Sequence, residues 1–124
     1  MMRSNAEHEH QAALFEWAAM AAQKHPELRL MYAIPNGGAR TARTGAMLKR
    51  EGVKAGVPDI CLPVAKRGFS ALYIELKAPG GRLSDVQRQW QAMLTAHGNA
   101  AHVCVGWHEA RECILFYLTG GCDE

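Results

Sequence analysis

The stretch ALYIELK, residues 71–77, alternates apolar and polar side chains in the pattern of a β-strand. It follows a second strand-like run, DICLPVA at residues 59–65, and only the residues 66–70 lie between the two. So short a connection is typical of a hairpin, because parallel strands need a much longer crossover. The two stretches therefore predict a pair of antiparallel neighbouring strands.

The charged residues of this predicted hairpin are expected to meet at one point. Side chains two positions apart on a strand point to the same face, so Tyr73, Glu75 and Lys77 share one face of the second strand. Antiparallel pairing places the start of the first strand beside the end of the second. Asp59 is thus expected to lie near Glu75 and Lys77.

An acid pair beside an ammonium group suggests a particular chemistry. Two converging carboxylates repel each other unless a cation lies between them, and Mg²⁺ prefers such hard oxygen ligands. The Lys77 ammonium suits a position beside an attacking water or a phosphate oxygen. Asp59, Glu75 and Lys77 could therefore serve a hydrolase. The alternative is a solvated salt bridge between Glu75 and Lys77, with Asp59 only capping a turn after Pro58.

Helices and further strands surround the hairpin in an α-β-α-β-β-α-β-α order. The connection from 71–77 through a helix to the last strand predicts a right-handed parallel unit. The expected fold is one α/β domain over residues 1–124, with a mixed β-sheet flanked by helices. The patterns and breakers predict strands over 28–35 and 101–107, and helices over 6–25, 40–52, 85–98 and 109–118.

Composition narrows the class of protein. A chain of 124 residues with 48% hydrophobic residues fits a single globular domain. No apolar run approaches the roughly 18 residues of a membrane span, and the N-terminus lacks the pattern of a signal peptide, so we expect a cytoplasmic protein without a membrane partner. Four scattered cysteines without a CxxC pair argue against a structural zinc site. A net charge of +2 neither requires nor excludes nucleic acid.

The motifs GVPD and IELK, followed by a Gln in the next helix, resemble the PD-(D/E)XK nuclease superfamily. Within it, the segments EHEHQ, AIPNGG, GVPDICLP, IELKAPGGRLSDVQRQW and VGWHEA are similar to the VRR-NUC family in its small stand-alone form, common in phages and prophages. The resemblance runs from about Glu7 to Tyr117 and implies a restriction-endonuclease-like core. Five segments in the right order make it more specific than the E-x-K motif alone.

The resemblance implies a metal-dependent phosphodiesterase that acts on DNA, in replication, repair or recombination. It assigns Mg²⁺ or Mn²⁺ to Asp59, Glu75 and the backbone carbonyl of Leu76, and gives Lys77 the role of orienting or activating the water. No organic cofactor is implied. Similarity to Holliday-junction resolvases implies a homodimer and makes branched DNA the expected substrate.

The family often completes its metal site with an acid on the first helix, for which Glu7, Glu9 and Glu16 are candidates. At about 100° per residue, Glu7 shares a face with the core residue Leu14, whereas Glu9 and Glu16 lie near the opposite side. Glu7 also matches the family's EHxxQ opening. A capping box from Ser4 to Glu7 is the alternative and carries similar weight.

Further candidate residues are expected beside this site. Gln87 matches the family's Gln and is expected near the metal water or the scissile phosphate, although it could instead close a capping box from Ser84. Asn36, in the PNGG turn, either contacts a phosphate or belongs to a plain turn. A run of cations either binds DNA phosphates without reading sequence or forms a solvated helix face: Arg40, Arg43, Lys49 and Arg50.

Two other groups of residues are expected to stay outside the site. His8 and His10 are two apart on a helix, cannot converge on one metal, and are expected to be exposed. The tryptophans are expected to pack in the core or in a dimer contact rather than to stack on bases, at positions Trp17, Trp90 and Trp107.

The main rival to a nuclease is a DNA-binding module with the same fold that has lost turnover. The intact set of Asp59, Glu75 and Lys77 argues against it. A sugar- or nucleotide-processing α/β enzyme is a weaker rival, because the sequence has no glycine-rich phosphate-binding motif.

Overall fold

The computed structural model describes residues 5–35 and 42–121, in which four strands form one mixed β-sheet. Its order is β1-β2-β3-β4, so the strands lie in the sheet in their order along the chain. The bounds are Tyr32–Ala33 for β1, Ile60–Leu62 for β2, Leu72–Lys77 for β3 and Ala100–Val105 for β4. This mixed sheet, flanked by helices, confirms the predicted fold class.

The predicted hairpin and the predicted crossover are both present. Strands β2 and β3 pair antiparallel with Cys61 opposite Tyr73, and β3 and β4 pair parallel. The hairpin closes through reciprocal backbone hydrogen bonds between Lys66 and Phe69. Arg67 and Gly68 at the turn both have positive φ, 56° and 85°, as a two-residue type I′ turn requires.

Four α-helices lie within the described residues 5–35 and 42–121, and none of them is long and apolar enough to cross a membrane. Their bounds are Asn5–Ala21 for α1, Ala42–Arg50 for α2, Asp85–Ala96 for α3 and Trp107–Thr119 for α4. Leu14 of α1 and Ile114 of α4 are fully buried against the apolar face of β3, which carries Leu72, Ile74 and Leu76. Helix α3 packs along β4 on the opposite face.

The expected strand over 28–35 is wrong for most of its length. Residues Pro26–Leu30 form a 3₁₀ helix, and only Tyr32–Ala33 is strand. Proline fits the first position of a helical turn because its fixed φ is already helical and it has no N–H to leave unpaired. The turn buries Leu28 in the core and leaves Leu30 exposed, so the apolar residues in this segment follow the turn instead of a strand.

Other element boundaries also differ from the expectation. Helix α1 ends at Ala21 instead of residue 25, and the chain continues in turns over 22–24 up to His25, the residue whose helical conformation Pro26 disfavours. Strand β2 stops at Leu62 because Pro63, which follows, has no N–H to donate to a neighbouring strand. Helix α4 begins at Trp107, two residues early, directly after Gly106 with φ of 83°.

The segment that leads from α2 to Asp59 is held against α3 by a close approach at Gly56. The Trp90 indole donates to the carbonyl of Ala55 at 3.1 Å. Gly56 has φ of +90°, and a Cβ built there would lie 1.9 Å from Cγ1 of Val86. Only glycine fits this position, so the contact fixes the path of the chain just before Asp59.

This contact can be tested with a matched pair of variants. We expect Gly56→Ala to lower the free energy of unfolding by about 1–3 kcal/mol more than Gly52→Ala. Both glycines have positive φ, but a Cβ at Gly52 would meet open space. The backbone strain is therefore common to both variants, and only Gly56→Ala adds the clash. Urea denaturation followed by circular dichroism measures the difference, and equal losses would contradict the close packing at Gly56.

Candidate active site

Asp59, Glu75 and Lys77 come together where β3 ends, and all three are buried. Their exposed fractions are 4%, 3% and 7%. A solvated surface salt bridge between Glu75 and Lys77 is excluded by these values. Charged side chains are rarely buried to this degree unless they are paired or bind an ion, so their position calls for a chemical reason.

Asp59 is held by hydrogen bonds from the two chain segments that flank it within the sheet. Its carbonyl accepts the N–H of Ile34 at 2.7 Å, and its Oδ2 accepts the N–H of Leu76 at 2.8 Å. Strand β2 begins at Ile60, opposite Ile74, and the Asp59 carboxylate takes the place of a strand partner beyond that point. In an extended strand, the N–H and C=O of one residue point to the same side. The Leu76 carbonyl is therefore directed towards the same side as its N–H, next to Asp59.

Glu75 is held by two side chains. Its Oε2 accepts a hydrogen bond from Nε2 of Gln87 at 3.1 Å and lies 3.8 Å from Nζ of Lys77. Two carboxylates and one ammonium leave the buried group with a formal charge of −1. Such a group favours a cation, and its hard oxygen donors match the preference of Mg²⁺ and Mn²⁺.

Gln87 serves as a helix cap and as a contact of Glu75 at the same time. Its Oε1 accepts the N–H of Ser84 at 2.8 Å, while Oγ of Ser84 accepts the N–H of Gln87 at 3.2 Å. Because the amide oxygen is engaged by a donor, the amide nitrogen is the atom that faces Glu75. The capping box and the site contact, which the sequence presented as alternatives, are therefore both present.

Glu7 reaches the end of β3 from the first turns of α1. Its Oε2 accepts the N–H of Ala78 at 3.4 Å. A Cβ on Gly81 would lie 3.3 Å from this oxygen and 3.3 Å from Cδ of Lys77, so the carboxylate and the lysine stem flank the same glycine. The other two acids of the helix are exposed, at Glu9 and Glu16. The alternative capping partner, Ser4, lies outside the described residues.

The expectation that His10 is exposed is wrong. The ring is half-buried, and its Nδ1 accepts the N–H of Trp107 at 3.1 Å, at the first turn of α4. The residue before this turn, Gly106, has no side chain to cap the helix, and α1 supplies the acceptor instead. Gly106 also donates its N–H to the carbonyl of Lys77 at 2.8 Å. A glycine in front of a helix is the sequence signal that could have indicated a cap from elsewhere.

Two tyrosines lie on the same face of the sheet as Glu75. Tyr32 stands opposite Cys61 on one side, and Tyr73 stands opposite it on the other. The pKa of Tyr32 is raised, chiefly by a hydrogen bond with the Cys61 thiol, and the pKa of Tyr73 is raised, chiefly by burial. Both phenols therefore keep their protons to a higher pH than an ordinary tyrosine does. The sequence placed Tyr73 on this face but gave no sign of Tyr32, because the pairing of β1 with β2 was not apparent.

The expected DNA-binding residues are only partly described. Lys49 and Arg50 are exposed in the last turn of α2. Arg43 belongs to the same helix, but its side chain lies outside the described part of the structure, as do Asn36 and Arg40. The tryptophans at 17, 90 and 107 are half-buried, and two of them pack against the core, Trp17 and Trp107.

The described residues offer carboxylate pairs rather than larger clusters of metal-binding side chains. Within 5–35 and 42–121, no three His, Cys, Asp or Glu side chains lie close enough together to hold one metal ion. The oxygen donors available to a metal are the carboxylates of Asp59 and Glu75 and the carbonyl of Leu76. Mg²⁺ is commonly bound through so few protein ligands and keeps several waters in its remaining positions. Glu7 as a further ligand stays a prediction.

Comparison with known proteins supports the resemblance noted in the sequence. The family model of the VRR-NUC domain matches residues 3–107, which include all four strands and every residue of the candidate site. A solved structure described as a VRR_NUC domain protein is similar with a TM-score of 0.78 and 26% sequence identity, covering 94% of this chain and 91% of that chain. A search of curated proteins gives no match.

The link between α1 and α4 can be tested at His10. We expect His10→Ala to lower the free energy of unfolding by about 1 kcal/mol, since the Trp107 N–H at the start of α4 loses its acceptor. His8→Ala, in an exposed histidine two residues away on the same helix, should change it by less than about 0.5 kcal/mol. Chemical denaturation of both variants measures the difference. If the two variants were equally stable, the His10 contact would not support α4.

Proposed function

The chain belongs to the VRR-NUC domain family, a family of nuclease domains, and on that premise we propose that it is a metal-dependent DNA endonuclease. The reaction is hydrolysis of a phosphodiester bond. The observation that carries the proposal is the convergence of buried Asp59, Glu75 and Lys77 at the end of β3. This arrangement combines two oxygen ligands with one cationic group, which phosphodiester hydrolysis can use together.

The proposed metal is Mg²⁺ or Mn²⁺, held by the carboxylates of Asp59 and Glu75 and by the backbone carbonyl of Leu76. The support is the donor chemistry, because these are hard oxygen ligands, and the Leu76 N–H holds the Asp59 carboxylate beside β3 at 2.8 Å. When bound, such an ion lowers the pKa of a coordinated water and neutralises charge on the phosphate. Glu7, which reaches the residue after β3, adds a further carboxylate to the surroundings of the site.

Lys77 is proposed to act on the water or the phosphate, and Gln87 is proposed to orient Glu75. The Lys77 ammonium lies 3.8 Å from Glu75, where it orients the attacking water or binds a phosphate oxygen of the transition state. Gln87 donates to Oε2 of Glu75 and so fixes the direction of that carboxylate. Because its own amide is locked by the capping box with Ser84, this orientation is set before substrate binds.

DNA is the proposed partner, and the cations of α2 contribute to its binding. Lys49 and Arg50 are exposed on the helix that leads into the segment before Asp59. We propose that they contact phosphates together with Asn36, Arg40 and Arg43. Such contacts position the DNA without reading its sequence.

Branched DNA is the proposed substrate, and a homodimer the proposed active form. Both follow from the resemblance of the family's members to Holliday-junction resolvases in core topology. A chain of 124 residues covers little DNA, and a homodimer presents two sites to a junction. The proposed place of action is the cytoplasm of a bacterial or phage-infected cell, in replication, repair or recombination.

Cleavage of plasmid and four-way-junction DNA tests the proposal. We expect cleavage with Mg²⁺ or Mn²⁺ and none in chelator. Glu75→Gln and Lys77→Met should each lower the rate by at least about a hundredfold, the scale on which a single group that stabilises transition-state charge acts. Glu75→Gln keeps the size of the side chain and its hydrogen bond to Gln87, which limits damage to the fold.

Glu9→Gln is the matched control, because Glu9 is an exposed acid on α1. Its rate should equal that of the unchanged protein, and circular dichroism should show that all variants fold. Cleavage that persists in Glu75→Gln would contradict the assigned site. Tight binding to DNA without cleavage under any divalent ion would instead favour a binding module that has lost turnover.

A further inference from the structure

Tyr32, Cys61 and Tyr73 form a row across β1, β2 and β3, which we call the tyrosine row. Each tyrosine is the direct cross-strand neighbour of Cys61, and direct neighbours point to the same face of a sheet. Cys61 is buried, with 2% of its surface exposed, while Tyr32 is 49% exposed. The tyrosine row therefore exposes aromatic surface, chiefly that of Tyr32, beside a buried thiol.

The tyrosine row is continuous with the candidate active site. Tyr73 precedes Glu75 by two residues on β3, so the two side chains share a face and stand about 7 Å apart along the strand. Asp59 lies two residues before Cys61, directly before the start of β2. A DNA strand whose phosphate lies at Asp59 and Glu75 thus has Tyr73, and then Tyr32, within reach of an adjacent nucleotide.

We propose that Tyr32 and Tyr73 are a stacking platform for an unpaired nucleotide next to the phosphate that is cut. The proposal rests on the nuclease function and specifies its substrate class, namely DNA with single-stranded nucleotides at the cleavage point. Aromatic side chains bind such nucleotides by stacking on the base, whereas the bases of an intact duplex are stacked on one another and offer only their edges.

The chemistry of the two phenols favours ring contact over a hydroxyl contact to phosphate. The neighbouring Cys61 thiol contributes to a raised pKa at both phenols, and the half-exposed ring of Tyr32 is the surface available to a ligand. Stacking also tolerates any base, which suits an enzyme that recognises the structure of DNA rather than its sequence.

Four variants separate the ring from the hydroxyl group: Tyr32→Phe, Tyr32→Leu, Tyr73→Phe and Tyr73→Leu. Affinity is measured by fluorescence anisotropy in Ca²⁺, for a fully paired duplex and for the same duplex with a short single-stranded gap. Phe116→Leu is the control, since Phe116 is an exposed aromatic on α4, against the other face of the sheet. A 2-aminopurine placed in the gap reports directly on stacking.

We expect the leucine variants to bind gapped DNA about 5- to 100-fold more weakly and to lose the 2-aminopurine signal, with duplex affinity unchanged. The phenylalanine variants and Phe116→Leu should bind both DNAs as the unchanged protein does. Equal losses on gapped and duplex DNA, losses in the phenylalanine variants, or no loss at all would overturn the platform. Failure of the unchanged protein to bind or cleave any DNA would instead refute the nuclease function itself.

Discussion

The hydrogen bond from the Leu76 N–H to the Asp59 carboxylate is the interaction on which the site depends. It lies where β2 has ended and β3 continues, so a side chain satisfies a backbone donor that a neighbouring strand would otherwise satisfy. The bond fixes the carboxylate at the edge of β3 and leaves the Leu76 carbonyl beside it. Because β2 ends early, the oxygen atoms of the Asp59 carboxylate and the Leu76 carbonyl lie next to each other at the edge of β3.

Burial of charge in this place has an energetic cost that the fold offsets through many small contacts. Glu75 and Lys77 are more than nine-tenths buried, and removal of one member of such a pair typically destabilises a protein by about 3–5 kcal/mol. Gln87 orients Glu75, and the Gly106 N–H holds the carbonyl of Lys77. The core on the other face, where α1 and α4 cover β3, supplies the apolar burial that permits this arrangement.

The sequence predicts the centre of this molecule better than its periphery. Alternation along ALYIELK and the short connection before it suffice to place Glu75 and Lys77 beside Asp59, because strand geometry allows few other arrangements. The 3₁₀ helix over Pro26–Leu30 and the cap that His10 gives to α4 were missed, since each depends on packing between segments far apart in the chain. Gln87 fulfils two roles through its two amide atoms, which a residue pattern cannot distinguish.

The central claim is that Asp59, Glu75 and the Leu76 carbonyl form one binding site for a divalent cation. A crystal soaked in Mn²⁺ tests it most directly, because the anomalous signal of the metal locates it independently of any interpretation of the protein. The account predicts one strong peak within bonding distance of both carboxylates and of the Leu76 oxygen. A peak elsewhere would contradict it, if these three groups bound no metal and did not move at saturating Mn²⁺.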